Sequence, residues 1–408
     1  MAGVQAENIV TMLILALKTY GLDNGVGLTP FAGWNSWNSF ACNINESIVK
    51  NQADMIVEYG LDKIGFEYVN IDDCWMTSER LNGYMVTDKE RFPSGMKALG
   101  DYIHSKGLKF GIYSSAGTMT CQRRAGSLYH ETKDAELFAS FGVDLLKYDN
   151  CYNNYLNSRE DTIKRYSAMR DALSVQNRTI LYSLCQWGEQ QPWLWADNIA
   201  NSFRSTADIG NHFDGFTFRC PCTTTNCTVF GDNCSILNIL DKQVPITKYS
   251  KPGFWNDMDM LEVGNGGMSF EESKSHFMLW SALKSPLIIG ADLSKINHHD
   301  LQLLQSKEIM KVNQDPLGIS AQLIKRVSGQ YDIWSGPLID GTVVILFNRS
   351  RRTIKIPLTT QLIKWLKCNT GNIIATDLFT LSTQHIVGSY VSPDIKSHDS
   401  IMLKLTCP

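Results

Sequence analysis

The sequence predicts an α/β protein in which a (β/α)8 TIM barrel is followed by a C-terminal antiparallel β-sandwich domain. From about residue 28 to 312, eight short apolar runs alternate with amphipathic helical patterns, the order expected of a parallel sheet covered by helices. Eight is also the number of strands that closes such a barrel. Beyond residue 318 the helical periodicity fades, and apolar runs between turn residues indicate β-strands.

Nearly every predicted strand begins with apolar residues and ends with polar ones. In a (β/α)8 barrel the carboxyl ends of all strands meet on one face, so we expect these polar side chains to converge and form a site. An open doubly wound sheet would also alternate strands and helices, but no G-x-G-x-x-G follows the first run. The eight runs are FAGWNSW (31–37), FEYVNIDDCW (66–75), LKFGIYSSAG (108–117), VDLLKYDNC (143–151), TILYSLCQWG (179–188), NSFRSTADI (201–209), GFWNDMDM (253–260) and SPLIIGADL (285–293).

Helical patterns and a boundary complete the predicted architecture. Clear amphipathic helices are ESIVKNQADMIVEYG (46–60), SGMKALGDYIHSKG (94–107) and SFEESKSHFMLWSALK (269–284). The turn residues of NQDPLG (313–318) mark a boundary. They predict a barrel at 27–318 and a β-domain at 319–408, with strands in QYDIWSG, GTVVILFNRS, TIKIPL and HDSIMLKL.

Composition and charge exclude several classes of partner. The chain has 408 residues, of which 43% are hydrophobic, and a net charge of −3 without a basic block. Neither nucleic acid nor a membrane surface is therefore an expected partner, and no apolar run is long enough to span a bilayer. No cysteine and histidine spacing typical of zinc occurs, and we predict no metal and no cofactor. The oligomeric state is left open.

Eleven cysteines and five N-x-[ST] sequons predict a secreted or extracellular protein, with a lysosome or vacuole as the alternative compartment. The odd cysteine count leaves at least one thiol free, and a Cys368–Cys407 bridge would clasp the β-domain. Residues 1–26 form a separate N-terminal segment. Its run IVTMLILAL (9–17) fits either a signal-peptide core or an ordinary helix. The sequons are at Asn45, Asn177, Asn226, Asn233 and Asn348.

The strand ends carry many carboxylates, several aromatic rings and two basic groups. Glycoside hydrolysis requires one carboxylate that attacks or positions water and another that protonates the leaving oxygen. Two other interpretations of the aspartates are caps of helices in the βα loops and ligands of Mg²⁺, although Lys147 and Arg204 already supply counter-charge. The inventory is Trp34, Asp72, Asp73, Tyr113, Lys147, Asp149, Cys185, Trp187, Arg204, Asp208, Asp257 and Asp259.

Several long motifs, in the right order, resemble the α-galactosidases (melibiases) of glycoside hydrolase family 27 in their fungal and plant form. The resemblance runs from about Gly27 to the C-terminus, and it implies retaining hydrolysis of α-D-galactosides through a covalent galactosyl–enzyme intermediate. The chain departs most from the family in FTFRCPCTTTNCTVFGDNC (216–234), which affects the expected leaving-group preference. The motifs are GWNSWNSFAC (33–42), IDDCW (71–75), RFPSGMKALGDYIHSKGLKFGIYSSAG (91–117), GVDLLKYDNC (142–151), SLCQWG (183–188), RSTADI (204–209), WNDMDML (255–261) and SPLIIGADL (285–293).

The resemblance implies roles residue by residue. Asp149 of KYDNC matches the catalytic nucleophile, and Asp208 of RSTADI matches the general acid/base. The implied disulfides are Cys42–Cys74 and Cys121–Cys151, with Cys185 unpaired, and we suggest two further bridges among Cys220, Cys222, Cys227 and Cys234. The substrate-binding residues that we predict, including Tyr113 from the inventory above, are Trp34, Asp72, Asp73, Tyr113, Lys147, Cys185, Trp187, Arg204 and Asp259.

Spacing along the strands predicts how the two aspartates divide their tasks. Lys147 precedes Asp149 by two residues, so both side chains point the same way, and the ammonium is expected to keep Asp149 ionised at mildly acidic pH. Asp208 must carry a proton for part of the cycle, so we expect it to have the higher pKa. A retaining reaction predicts roughly 5 to 5.5 Å between the two carboxyl groups.

Four alternatives stand beside this hypothesis. An α-N-acetylgalactosaminide substrate is disfavoured by the bulk of Trp187 near the 2-position, and a β-L-arabinopyranoside by Asp72, which suits a hexose. A lectin-like barrel without activity is disfavoured because Asp149 and Asp208 are both present. A structural secreted protein would leave the polar strand ends unexplained.

Overall fold

The computed structural model describes residues 21–215, 220, 233–366, 368 and 372–407. Within these ranges the chain forms a parallel sheet with surrounding helices, followed by an antiparallel sheet. The apolar run at 9–17, the sequon at Asn226 and two of the cysteines, Cys222 and Cys227, lie outside the described residues.

The strands and helices of the first part are short and alternate along the chain. The strands are β1 (Ala32–Asn35), β2 (Tyr68–Asn70), β3 (Met76–Leu81), β4 (Tyr84–Thr87), β5 (Lys109–Ser115), β6 (Leu145–Asp149), β7 (Leu181–Cys185), β8 (Ser202–Arg204), β9 (Trp255–Asp257) and β10 (Leu287–Ile289). The helices are α1 (Trp37–Phe40), α2 (Glu46–Glu58), α3 (Met96–Ser105), α4 (Glu131–Phe141), α5 (Arg159–Ser174), α6 (Ile236–Gln243), α7 (Phe270–Ala282), α8 (His298–Leu304) and α9 (Lys307–Asn313).

Eight of these strands close into a barrel. Their order in space is β10–β1–β2–β5–β6–β7–β8–β9, and each neighbouring pair is parallel. The two ends of the sheet meet just beyond β9, where Leu261 bridges Ile289 and donates its amide N–H to the Ile288 carbonyl at 2.7 Å. The predicted barrel and its eight strands are confirmed, and the open sheet is excluded. The hairpin of β3 and β4 was not predicted.

The surrounding helices begin at side-chain caps. The Ser269 hydroxyl accepts the Glu272 N–H at 3.2 Å while the Glu272 carboxylate accepts the Ser269 N–H at 2.8 Å, so α7 starts with a capping box. Asn45 caps α2 by accepting the Ile48 N–H at 2.9 Å. Helix α7 is buried along most of its length because it packs against the barrel on one side and the C-terminal sheet on the other. None of the helices in the described ranges has the length and apolar character that crossing a membrane requires.

The C-terminal part is an eight-stranded antiparallel sheet that begins nine residues after α9. The predicted strand TIKIPL contributes only its last residues, in β14, and the Cys368–Cys407 disulfide forms at the end of the last strand. The strands are β11 (Gln322–Val327), β12 (Tyr331–Leu338), β13 (Gly341–Asn348), β14 (Pro357–Thr359), β15 (Asn372–Asp377), β16 (Thr383–Val387), β17 (Ser389–Val391) and β18 (Ser400–Thr406). Their order is β11–β12–β13–β18–β15–β16–β17–β14.

Alternating residues of β13 belong to two different hydrophobic cores. Val343, Ile345 and Phe347 pack into the core shared with the barrel, whereas Val344 and Leu346 pack into the core of the C-terminal sheet itself. A strand points successive side chains to opposite faces, so a fully apolar strand is buried on both. The C-terminal sheet is thus joined to the barrel by a continuous apolar layer.

A buried group of ions also joins the two parts. The Asp332 side chain is fully buried and accepts two hydrogen bonds of 2.7 Å from Arg326 and one of 2.8 Å from Arg349. Both arginines also reach Asp241 of barrel helix α6, each at 2.8 Å. Because the buried carboxylate of Asp332 is paired with two arginines, removal of either partner weakens the compensation of a buried charge.

We expect Asp332→Asn to lower the free energy of unfolding by about 3 kcal/mol, since the buried carboxylate that pairs with Arg326 and Arg349 is lost. Asp340→Asn is the matched control, because the exposed Asp340 pairs only with Lys404 at the surface, and its effect should stay within about 1 kcal/mol. Urea unfolding of both variants measures the difference. Equal effects of the two substitutions would contradict a clamping role for Asp332.

Candidate active site

A cavity of about 330 Å³ opens at the carboxyl ends of the barrel strands. Ten of the predicted site residues line it: Asp72, Asp73, Tyr113, Lys147, Asp149, Cys185, Trp187, Arg204, Asp208 and Asp259. The polar strand ends therefore converge around one cavity, as the barrel fold predicts. The lining also includes residues that the sequence reasoning missed, namely Trp37, Asn38, Gln122 and Met260.

Asp149 is the last residue of β6 and is buried at the base of the cavity. Its carboxylate accepts the Tyr113 hydroxyl at 2.8 Å and the Asn150 N–H at 2.9 Å. Burial raises the pKa of Asp149 to about 7, while the Lys147 ammonium and the Tyr113 hydroxyl act in the opposite direction. The Lys147 ammonium therefore favours the ionised form of Asp149, as expected, but desolvation acts more strongly in the opposite direction, and the ionisation of Asp149 at mildly acidic pH stays a prediction.

The ion pair of Lys147 is with Asp72 and not with Asp149. Its ammonium donates to Asp72 Oδ2 at 2.7 Å, and the same oxygen accepts the Asn35 amide at 2.9 Å. Burial alone would lower the pKa of Lys147, but the Asp72 carboxylate holds it above its ordinary value. Lys147 thus carries a positive charge across the physiological range, and this charge acts on the carboxyl groups of both Asp72 and Asp149.

Asp72 and Asp73 both line the cavity because β2 ends before them, at Asn70, and the chain turns. Asp73 accepts the Thr120 hydroxyl at 2.9 Å, the Gln122 N–H at 2.9 Å and the Cys74 N–H at 2.7 Å. Asp73 therefore also fixes the loop after β5. The alternative that these aspartates cap helices is wrong for the described helices, whose N-caps are other residues.

Arg204, at the end of β8, joins Asp208 to Asp259. Its buried guanidinium lies 2.6 Å from Asp259 Oδ2 and donates to Asp208 Oδ1 at 3.0 Å. The Asp208 side chain is 45% exposed and faces the cavity. Desolvation by the surrounding protein raises the pKa of Asp208, and the positive charge of Arg204 opposes this rise. Both aspartates thus have raised pKa values. Which of the two has the higher pKa stays a prediction, and so does the distance between their carboxyl groups.

The backbone around Asp208 is held in place by Cys234, which forms a disulfide with Cys220. The Asp208 carbonyl accepts the Cys234 N–H at 2.8 Å, and Ile209 pairs with Cys234 as in a parallel sheet. Cys234 is bonded to Cys220, one of the pairings that our suggestion for this loop allows. The position of Asp208 in the cavity therefore depends on chain far from its own strand.

Trp34 does not line the cavity, and this prediction is corrected to Trp37. Trp34 lies inside β1, is fully buried and donates its indole N–H to the Ala291 carbonyl at 2.9 Å. Trp37 follows the end of β1 and reaches the cavity. The second tryptophan of GWNSW was the available signal, because only residues past the strand end belong to the mouth of a barrel.

Cys185 and Trp187 lie at and just beyond the end of β7. Cys185 is a buried free thiol whose Sγ is 3.6 Å from Arg204 Nη1. Burial raises its pKa well above the ordinary value, so it is a neutral cavity wall and not a reactive thiolate. Trp187 lines the cavity in a left-handed backbone conformation, with φ of 56°, which a tryptophan rarely adopts.

The other cysteines and the sequons are placed as follows. Disulfides join Cys42 to Cys74 and Cys121 to Cys151, the two pairings that the resemblance implies. Asn45, Asn177 and Asn233 are exposed. Asn348 is fully buried and donates its side-chain amide to the carbonyls of Arg352, Ile395 and Lys396, so it cannot carry a glycan in this fold, and the prediction is corrected.

Glu262 is a buried carboxyl behind the cavity that the sequence reasoning missed. Burial raises its pKa to about 7, against hydrogen bonds from the Asn265 and Asn38 side-chain amides. Asn38 lines the cavity, so Glu262 orients an amide that faces the substrate space. A single glutamate after WNDMDML was the signal, but nothing in the sequence pairs it with a residue more than two hundred positions earlier.

The arrangement has the chemistry of a site for acid-assisted displacement on a polyol. Two carboxyls with different surroundings face one space: Asp149 is buried without an ion pair of its own, and Asp208 is half exposed beside Arg204. Such a difference in environment is how one site holds both a nucleophile and a proton donor. The remaining charged groups offer hydrogen bonds to several hydroxyls at once.

Comparison with known proteins gives matches over both parts of the chain. The family model described as alpha galactosidase A matches residues 29–315, and the model of the alpha galactosidase C-terminal beta sandwich domain matches 328–405. Alpha-galactosidase 2 of Arabidopsis thaliana is 44% identical over 94% of this chain and 91% of the relative. The structure of alpha-galactosidase I from Mortierella vinacea has a TM-score of 0.91 at 40% identity, over 94% of this chain and 98% of that one. The Saccharomyces cerevisiae enzyme has a TM-score of 0.90 at 33% identity, over 96% and 100%.

We expect Asp149→Asn to raise the melting temperature by a few degrees at pH 7 and by less near pH 4. The pKa of Asp149 is about 7 in the native state against an ordinary 3.8. Between these values the native state keeps a proton that the unfolded chain has lost, so stability falls as pH rises, and asparagine escapes this loss. Thermal unfolding from pH 4 to 8 measures it, with the exposed Asp101→Asn as control. A pH-independent difference would contradict the assignment.

Proposed function

The chain belongs to the melibiase family of α-galactosidases, and from this premise we propose that Asp149 and Asp208 hydrolyse α-D-galactosides by double displacement with retention of configuration. The observation that carries the proposal is the pair itself, since both carboxyls line one cavity in unlike surroundings. Glycosidases that retain configuration use one carboxylate as nucleophile and another as acid and then base.

In the first step a carboxylate oxygen of Asp149 forms a bond to the anomeric carbon of galactose while the bond from that carbon to the leaving oxygen breaks. The proton of Asp208 passes to the leaving oxygen. In the second step water attacks the anomeric carbon, gives its proton to Asp208 and releases the Asp149 carboxylate. Two inversions at one carbon return the original α configuration.

Mutual electrostatics lets Asp208 change roles between the two steps. The charge of Asp208 raises the pKa of Asp149, and the coupling of two sites is reciprocal. Once Asp149 is esterified by the sugar its negative charge disappears, so the pKa of Asp208 falls. An acid in the first step thereby becomes a base in the second.

The remaining cavity groups bind the sugar in this proposal. Asp72 and Lys147 form a buried ion pair whose free lone pairs and N–H groups suit the 4- and 6-hydroxyls of galactose. Arg204 and Asp259 form a second pair on the side of Asp208. Trp37, in place of Trp34, is the tryptophan that contacts the sugar at this side of the cavity.

We also propose that the protein acts outside the cytosol, in a secreted or vacuolar setting. The described residues contain four disulfides, and disulfides persist in oxidising compartments. Three exposed sequons, at Asn45, Asn177 and Asn233, are compatible with N-glycosylation. Asn45 is also the cap of α2, where its side-chain carbonyl oxygen is the acceptor.

Azide distinguishes the roles of the two aspartates. We expect Asp149→Ala to lower kcat on an aryl α-galactoside by about 10⁴-fold or more, and azide to restore turnover as β-galactosyl azide, because it replaces the nucleophile in a single inversion. Asp208→Ala should lose about 10²- to 10⁴-fold on poor leaving groups, much less on α-galactosyl fluoride, and give α-galactosyl azide. Proton NMR of the products reports the anomer, and the same anomer from both variants would overturn the assignment.

Substrate preference tests the binding roles. We expect kcat/KM for the 4-nitrophenyl α-galactoside to exceed that for its 2-acetamido analogue and for the β-L-arabinopyranoside by about 10²-fold or more. The acetamido group of the first analogue collides with Trp187, and the second analogue lacks the 6-hydroxyl that binds Asp72. Trp187→Ala should narrow only the gap to the 2-acetamido analogue, and the arabinoside serves as the control in that variant. Faster turnover of either analogue by the wild type would refute this part of the proposal.

A further inference from the structure

We propose that Tyr152 and Arg123 form a binding site for the leaving group, taking a neutral sugar unit that is joined to the galactosyl residue. This inference rests on the proposed function, because it concerns the part of the substrate outside the galactose cavity. The two residues belong to the loops after β6 and β5, and neither has a part in the mechanism above.

The position of the pair follows from the disulfide beneath it. Cys121 and Cys151 are bonded to each other, and both line the cavity together with Gln122. Tyr152 is the next residue after Cys151, and Arg123 follows Gln122. Each member of the pair therefore directly follows a cavity-lining residue, on each of two adjacent loops.

The two loops are held together as one rigid unit. Arg123 Nε donates to the Tyr152 hydroxyl at 3.0 Å, and the Thr118 N–H donates to the Tyr152 carbonyl at 3.0 Å. At Gly117 an added Cβ would lie 1.8 Å from the Cys151 carbonyl oxygen, so only glycine allows the loops to approach this closely. The Tyr152 backbone is thus tied to the loop after β5, and the Arg123 hydrogen bond orients the Tyr152 hydroxyl.

The same unit is tied to the catalytic cavity from below. The Asp73 carboxylate accepts the Thr120 hydroxyl and the Gln122 N–H, both at 2.9 Å, which anchors the loop of Arg123 to a cavity-lining group. A sugar whose galactosyl residue fills the cavity would therefore have a fixed position relative to the loop of Arg123. Asp73, the residue after Asp72, thus uses its hydrogen bonds to hold the loop that carries Arg123.

The exposed chemistry of the pair suits a sugar. The Tyr152 side chain is partly exposed, and its residue exposure of 40% leaves ring surface open to a partner. Pyranose rings present apolar C–H faces that pack on aromatic rings, and the unused guanidinium N–H groups of Arg123 can donate to hydroxyls. Because the ring is already oriented, binding costs little side-chain entropy. Single exposed tyrosines are common and need no function, but this one is fixed beside the mouth.

The test compares a substrate with a leaving sugar and one without. We expect Tyr152→Ala to lower the ratio of kcat/KM for melibiose to kcat/KM for α-galactosyl fluoride about tenfold, through a higher KM for melibiose, which is the loss expected of one ring contact. Arg123→Gln should lower the same ratio about threefold. Tyr129→Ala is the control, since Tyr129 is exposed on the same loop but its neighbours do not line the cavity, and it should leave the ratio unchanged.

The outcomes separate this inference from the proposed function. An unchanged ratio in Tyr152→Ala and Arg123→Gln would overturn the leaving-group site, and so would an equal loss on both substrates, which would indicate an effect on the reacting centre or on folding. An equal fall in Tyr129→Ala would also overturn it, because the loop as a whole would then be responsible. Hydrolysis of α-galactosyl fluoride by the wild type, and its loss in Asp149→Ala, tests the proposed function independently.

Discussion

Five carboxyl groups and two cations line the cavity at the mouth of the barrel, and the rest of the site depends on how these charges are paired. Lys147 takes Asp72 and Arg204 takes Asp259, at 2.7 and 2.6 Å. An isolated charge would be too costly at this depth, so each cation needs its carboxylate. The consequence is that, within the described residues, Asp149 has no ion pair of its own and takes hydrogen bonds from Tyr113 and Asn150.

This division matters for reactivity. A carboxylate that is locked to a cation is a weak nucleophile and cannot easily accept a covalent bond, whereas one that is bonded to a phenol and an amide can exchange those contacts. Burial raises the pKa of Asp149 and of Asp208, and the neighbouring cations limit that rise. The barrel therefore supplies a site in which ionised and protonated carboxyls coexist near neutral pH.

Rigidity of the mouth comes from covalent and backbone ties and not from the strands alone. The barrel strands are only a few residues long, and half of the ten predicted residues that line the cavity stand in the loops that follow them. Disulfides close these loops at Cys42–Cys74, Cys121–Cys151 and Cys220–Cys234. The last of these supports the segment of Asp208, and the second supports the rim beside Asp149. Loops that carry catalytic groups thus share the precision of the scaffold.

The eight strands and most of the polar groups that line the cavity could be predicted from the sequence because both follow from local patterns, namely apolar runs with polar ends. The choice between Trp34 and Trp37 could not, since it turns on the residue at which β1 ends. The exclusion of Asn348 as a glycan site required the three carbonyls that surround its amide. The sequence by itself determined most of the charged groups that meet at the mouth. Only the tertiary structure decided which charge pairs with which, because desolvation and the distances between strands are properties of the assembled barrel.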